Sequence, residues 1–192
     1  MMFTPAFCIA RSRAAVGIAT LALGIIAGSA PTPAAADGLS TSAEYIVAFS
    51  RYVQWQDEDR LPAWNICFVG DIPHDQQQLY VDRTVRNKPF VVRNINAETA
   101  FSDCQVLDLT TANTETTKRI LAKCRHMPIL TVGLGSEFCS IGGQICLNRD
   151  NDGTKPSQKF GLNLSNIREA KLTVSARLLT IGLVRTANED TK

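Results

Sequence analysis

The spacing of apolar residues changes several times along this chain, and each change predicts a boundary. Thr41-Ser42-Ala43-Glu44 has the Thr and Glu spacing of a capping box. Tyr45, Phe49, Tyr52 and Val53 then recur at helical intervals and predict a first helix to about Trp55. DEDRLPA ends it, and WNICFVGD is a short apolar run rich in β-formers, closed by Gly70-Asp71, that predicts a strand. Asp75 and Gln78 open a second helix through HDQQQLYVDRT; PFVVRNI and CQVLDL predict the second and third strands. NTETTKRILAKC reads as a helix with Ile120 and Leu121 facing inward and basic residues toward its negative end. PILTVGL is the fourth strand, QICLNR and KFGLNL flank the turn-rich DNDGTKPSQ as a hairpin, and Leu172, Val174, Leu178 and Ile181 mark a C-terminal helix. Strand and helix alternate through the first two-thirds. The fold class expected is α/β: a single layered domain with a largely parallel sheet, a C-terminal antiparallel hairpin and helices on both faces.

The first residues fit none of these elements. Arg11 and Arg13 precede the apolar run AAVGIATLALGIIAG, and the small-x-small signal Ala34-x-Ala36 follows. That order predicts a secretory signal over residues 1–36, cleaved before Asp37, leaving one domain over 37–192 and an exported, soluble protein. The run is shorter than the ~20 apolar residues a membrane span needs. Residues 1–36 hold two Arg and no acid, so the chain's 20 basic and 18 acidic residues become 18 of each once they are removed. A balanced chain without a basic block argues against nucleic acid as the main partner.

Export decides how the cysteines are read. Cys67, Cys104, Cys124, Cys139 and Cys146 would meet an oxidising compartment, where two bridges and one odd thiol are the default; spacing alone does not choose the connectivity. The seven-residue step from Cys139 to Cys146 is the easiest to close, since Gly142-Gly143 can turn the chain. A metal is not expected: zinc sites use closer Cys pairs, and the calcium-like Asn148-x-Asp150-x-Asp152-Gly153 places Lys159 where the bidentate Glu belongs. Gly133-x-Gly135 resembles the start of a dinucleotide fingerprint, but Phe138 takes the third glycine's place and no helix is expected directly after it; it reads as a turn. His74 and His126 have no nucleophile motif beside them, so neither an enzyme nor a cofactor is expected. Cys124 reads as a buried free thiol.

The order of these segments resembles the YfiR-like family. EYIVAFSRYVQW is similar to the family's aromatic N-terminal helix, and NICFVGD, NKPFVVRNI, FSDCQVLDL and MPILTVG follow in the family's order. The most specific stretch is EFCSIGGQICL followed by KFGLNLSNIREAKLTVSARLL, with Asn163, Ser175, Arg177, Leu178 and Leu179 at the family's positions. Gln56 stands where the family usually has Pro, and the DNDGTKPSQ turn is longer than usual. The resemblance implies bridges Cys67–Cys104 and Cys139–Cys146, with Cys124 extra. It also implies a periplasmic repressor, often dimeric, that binds the sensor domain of a membrane-bound diguanylate cyclase. An outer-membrane-associated lipoprotein would act as antagonist, and a small-molecule ligand and redox-responsive bridges are implied as well. The turn carrying Phe138, Ile141, Gly142 and Gly143 is the partner contact expected. The alternative is a periplasmic small-molecule-binding sensor module without a cyclase partner.

Overall fold

The computed structural model describes residues 41–96, 98, 101–149, 156–181 and 183–185. The predicted signal segment and residues 150–155 of the predicted hairpin turn, with Asp150, Asp152 and Gly153 of the calcium-like pattern, lie outside the described residues. In chain order the elements are α1 (Ser42–Phe49), β1 (Val53–Gln54), a 3-10 turn (Glu58–Arg60), β2 (Trp64–Val69), α2 (His74–Gln78), β3 (Thr84–Val85) and β4 (Lys88–Ile95). Then follow β5 (Val106–Asp108), α3 (Thr114–Cys124), β6 (Leu130–Leu134), α4 (Ser136–Ser140), β7 (Ile145–Arg149) and β8 (Pro156–Asn163). The last are α5 (Leu164–Glu169), β9 (Thr173–Val174), α6 (Ala176–Ile181) and β10 (Leu183–Arg185).

Eight strands form one sheet in the order β10-β8-β7-β6-β5-β2-β4-β3, and β1 and β9 pair apart from it. β2 runs parallel to both β4 and β5, β5 to β6, β6 to β7, and β8 to β10; β7–β8 and β3–β4 are antiparallel. The chain leaves β2 for β4 on one side, then returns across β2 to build β5, β6 and β7 on the other. Such a reversal of strand order is where open α/β sheets form crevices, beyond the carboxyl ends of their strands.

Burial on both faces explains why the central strands read as unbroken apolar runs. Trp64, Ile66 and Phe68 of β2 join Ile46 and Phe49 of α1, Phe160 of β8 and Ile167 of α5 in one core. Cys67 and Val69, one residue out of phase, join Leu107, Ile120, Leu121 and Phe138 in the other, beneath α3 and α4. The sheet is therefore mixed but mostly parallel, contains the expected antiparallel pair β7–β8 and carries helices on both faces; β10, parallel to β8, extends it beyond that pair. The capping box is present too: the Thr41 hydroxyl accepts from the Glu44 N–H at 3.2 Å, and the Glu44 carboxylate accepts from the Thr41 N–H at 3.1 Å.

Several expected boundaries move. The first helix stops at Phe49 rather than Trp55, where the Ser50 hydroxyl donates to the Ile46 carbonyl at 2.8 Å. Val53 is buried by β1 instead, pairing with Val174 of β9. The second helix is only five residues long; it begins after Pro73, with Asp75 inside its first turn. Arg86 and Asn87 both take positive φ (49° and 61°), so the β3–β4 connection is a tight hairpin that the expected elements omit. Arg86 then donates to the Ser50 carbonyl at 2.7 Å, holds Glu58 at 3.0 Å and lies over the Trp64 ring. The C-terminal helix divides as well: Leu172 donates to the Ile167 carbonyl at the end of α5, Val174 is in β9, and only Leu178 and Ile181 are helical in α6.

Candidate functional site

Gly135, at φ 81°, ends β6 and α4 starts at the next residue, so a short helix stands where a turn was expected. This helix is amphipathic within five residues. Phe138 and Cys139 face in and are buried, while Ser136, Glu137 and Ser140 are exposed. Phe138 lies between Gly133 of β6 and Gly143 of the following turn. A methyl group at either glycine would come closer to the ring than carbon atoms can approach. The pair of glycines is thus a slot for one aromatic ring, and Gly133 has a packing reason unrelated to any nucleotide.

The turn after α4 is tied from several sides. The Gly143 N–H donates to the Phe138 carbonyl at 2.8 Å, and Gly142 takes φ 114°. Asn163 caps α5 by accepting from the Asn166 N–H at 3.1 Å, and its own amide donates to the Cys139 carbonyl at 3.2 Å. Buried Gln144 trades two hydrogen bonds with Thr131 of β6, at 3.0 and 3.1 Å. Cys139 is bonded to Cys146 of β7, with Cα atoms 5.7 Å apart.

The second bridge joins Cys67 of β2 to Cys104 just before β5, with Cα atoms 5.8 Å apart. It is framed by polar contacts: the Asn65 N–H donates to the Gln105 side chain at 2.9 Å, and the Asn65 amide donates to the Asp103 carbonyl at 2.9 Å. Cys124 is free and buried, and burial pushes its thiol up to about 11. Since the thiolate is the reactive form, this sulfur is a poor nucleophile at neutral pH.

The four residues expected at a partner contact separate. Phe138 is 5% exposed and Gly143 is buried, so both support the turn from beneath. Ile141 is half-buried and Gly142 exposed, and these two reach the surface. His74 and His126 are exposed on different elements, and among the described residues no three His, Cys, Asp or Glu gather to hold a metal.

Two clefts flank Ile141. One, of about 410 Å³, opens beyond the carboxyl ends of β5 and β6, between the start of α3 and α4; Thr110, Thr114, Thr117, Ser136 and Glu137 line it. The other, of about 400 Å³, lies between α3, the turn and α5, and is lined by Lys118, Leu121, Arg125, Cys139, Ser140, Gly142 and Asn166 among others. Sequence reasoning missed these α3 residues. Lys118, Leu121, Ala122 and Arg125 recur at helical spacing, but their partner face is supplied by elements up to Asn166.

Close by, the Asp108 carboxylate at the end of β5 is fully buried. One oxygen accepts from the Thr110 N–H at 2.9 Å and its hydroxyl at 2.6 Å, and the Ser42 hydroxyl of α1 also bears on the carboxylate; among the described residues the buried Tyr80 hydroxyl has no partner. Burial pushes the Asp108 carboxyl above its usual range, although the Thr110 bonds pull it down. A raised carboxyl favours the protonated form in the folded state. Its penalty is absent below the unfolded value of about 4 and grows as pH rises through the folded value. Asp108→Asn removes that penalty, so the stability of the wild-type protein should fall relative to the variant as pH rises above about 4. Urea unfolding at several pH values checks this; parallel curves for the two proteins would show that Asp108 is not raised.

Among the described residues no helix is long and apolar enough to cross a membrane. A family model described as YfiR/HmsC-like matches residues 40–182. No curated protein matches the chain.

Proposed function

The chain belongs to the YfiR/HmsC-like family, whose members are periplasmic regulators, and on that premise we propose that it is a periplasmic repressor of cyclic-di-GMP synthesis. In this reading residues 1–36 direct export and are removed near Ala36, and residues 37–192 form the working domain. That domain binds the periplasmic sensor domain of an inner-membrane diguanylate cyclase and holds the enzyme inactive without chemistry of its own. The observation that carries the proposal is the family match, which spans all the described elements except β10. Two buried bridges suit an oxidising compartment.

The mechanism is mass action. A repressor that binds the inactive cyclase better than the active one shifts the population toward inactivity by its differential affinity. An outer-membrane-associated lipoprotein that sequesters the repressor lowers its free concentration and reverses the shift. The exposed turn at Ile141 and Gly142 is the contact proposed for a partner, held rigid by Phe138, Gly143 and the Cys139–Cys146 bridge. Dimerisation and redox control through the bridges belong to the same proposal.

Deleting the gene with its cyclase intact should raise cellular cyclic-di-GMP, and restoring the exported protein should lower it again. Unchanged cyclic-di-GMP in the deletion strain would reject the repressor reading. The second reading, a sensor module that binds a small molecule without a cyclase partner, is favoured by the cation-lined cleft beside the turn.

A further inference from the structure

We propose that the cleft between α3, the α4–β7 turn and α5 binds a small organic monocarboxylate, with its acid group on Lys118 and Arg125 and its apolar body against Leu121 and Ile141. The inference concerns a ligand and stands whether or not the chain represses a cyclase.

Charge selects the class. Among the described residues Lys118 and Arg125 are the only charged ones lining this cleft, in a chain whose residues 37–192 carry equal numbers of basic and acidic groups. Arg125 is already held by Glu169, with Nε 2.8 Å and Nη2 3.5 Å from its carboxylate oxygens. That contact orients the guanidinium and offsets its charge. A guanidinium has five N–H donors, so donors on Nη1 remain beyond those two contacts. Among the described residues the Lys118 side chain has no ion pair or hydrogen bond. One unpaired lysine charge, with a guanidinium already partly neutralised by Glu169 on the same cleft, fits a monoanionic carboxylate better than a dianionic phosphate.

Shape and donors agree with that class. The volume of about 400 Å³ falls in the range of small-ligand sites. Asn163 and Asn166 line one wall, each spending one amide N–H on the turn, to the Cys139 and Gly143 carbonyls, which leaves the second N–H of each for a ligand.

Phenylacetate, its neutral isostere 2-phenylethanol and inorganic phosphate distinguish the alternatives when titrated into the purified protein and followed by amide NMR. Phenylacetate should give saturable shifts at Ser140, Gly142 and Asn166 and bind about 10-fold more tightly than 2-phenylethanol, as one charge-assisted hydrogen bond requires. Lys118→Gln should remove most of that preference and Lys118→Arg should keep it. Lys118 is exposed, and an unperturbed amide spectrum shows that either variant is folded. Equal binding of the neutral isostere, tighter binding of phosphate, an unaffected Lys118→Gln, or no saturable shift at these amides each overturns the proposal.

Discussion

Replacing Cys67 and Cys104 together with alanine should lower the unfolding free energy by about 4 kcal/mol, the chain-entropy value for a loop of this length. The bridge closes a separation of 37 residues, against 7 for Cys139–Cys146, whose removal should cost about 2.5 kcal/mol by the same arithmetic. Four kcal/mol is a large part of the roughly 5–15 kcal/mol that holds a typical domain together. Urea unfolding of the two double variants reads the order directly. Equal midpoints for the two would show that loop length does not set the contribution. Peptide mapping of the oxidised protein checks the pairing itself; a peptide linked through Cys124 would contradict both values.

Phe138→Ala should cost about 3–5 kcal/mol, the range for an aromatic removed from a tight core. The ring is buried in a slot between two glycines and cannot be replaced by collapse of side chains that do not exist. The reciprocal change, Gly143→Ala, drives a methyl group into the ring and should destabilise by about 1–3 kcal/mol. In a Phe138→Ala background the same methyl group meets space, so the two costs should not add. A double-mutant cycle with additive costs would mean that the ring is not seated between the glycines.

The sequence carried the fold wherever period and burial coincide. β2 was legible because WNICFV is apolar on both faces, and α3 because Ile120 and Leu121 give NTETTKRILAKC an inward side and basic residues stand toward its end. Two-residue strands cannot show a period, so β1 and β9 were hidden, and their valines lent false length to the helices on either side. The short helix α4 was hidden for the same reason. Gly133-x-Gly135 misled differently. Gly135 does turn the chain, but Gly133 lacks a side chain because a ring five residues later occupies its place, a contact no local window contains. The cation-lined cleft was illegible because its walls come from α3, α4 and α5, and only the fold joins them.

The bridge from Cys67 to Cys104 also has a kinetic meaning. It spans the stretch in which the chain leaves β2, builds β4 on one side and returns to start β5 on the other. Pairing β2 with β5 is a non-local event, and closing the intervening loop costs entropy before any contact repays it. Once the bond has formed, that closure no longer has to be found by diffusion at each attempt. The oxidised chain starts its search with its two central strands already neighbours, and the reduced chain must find that neighbour while every apolar strand is still open to other pairings.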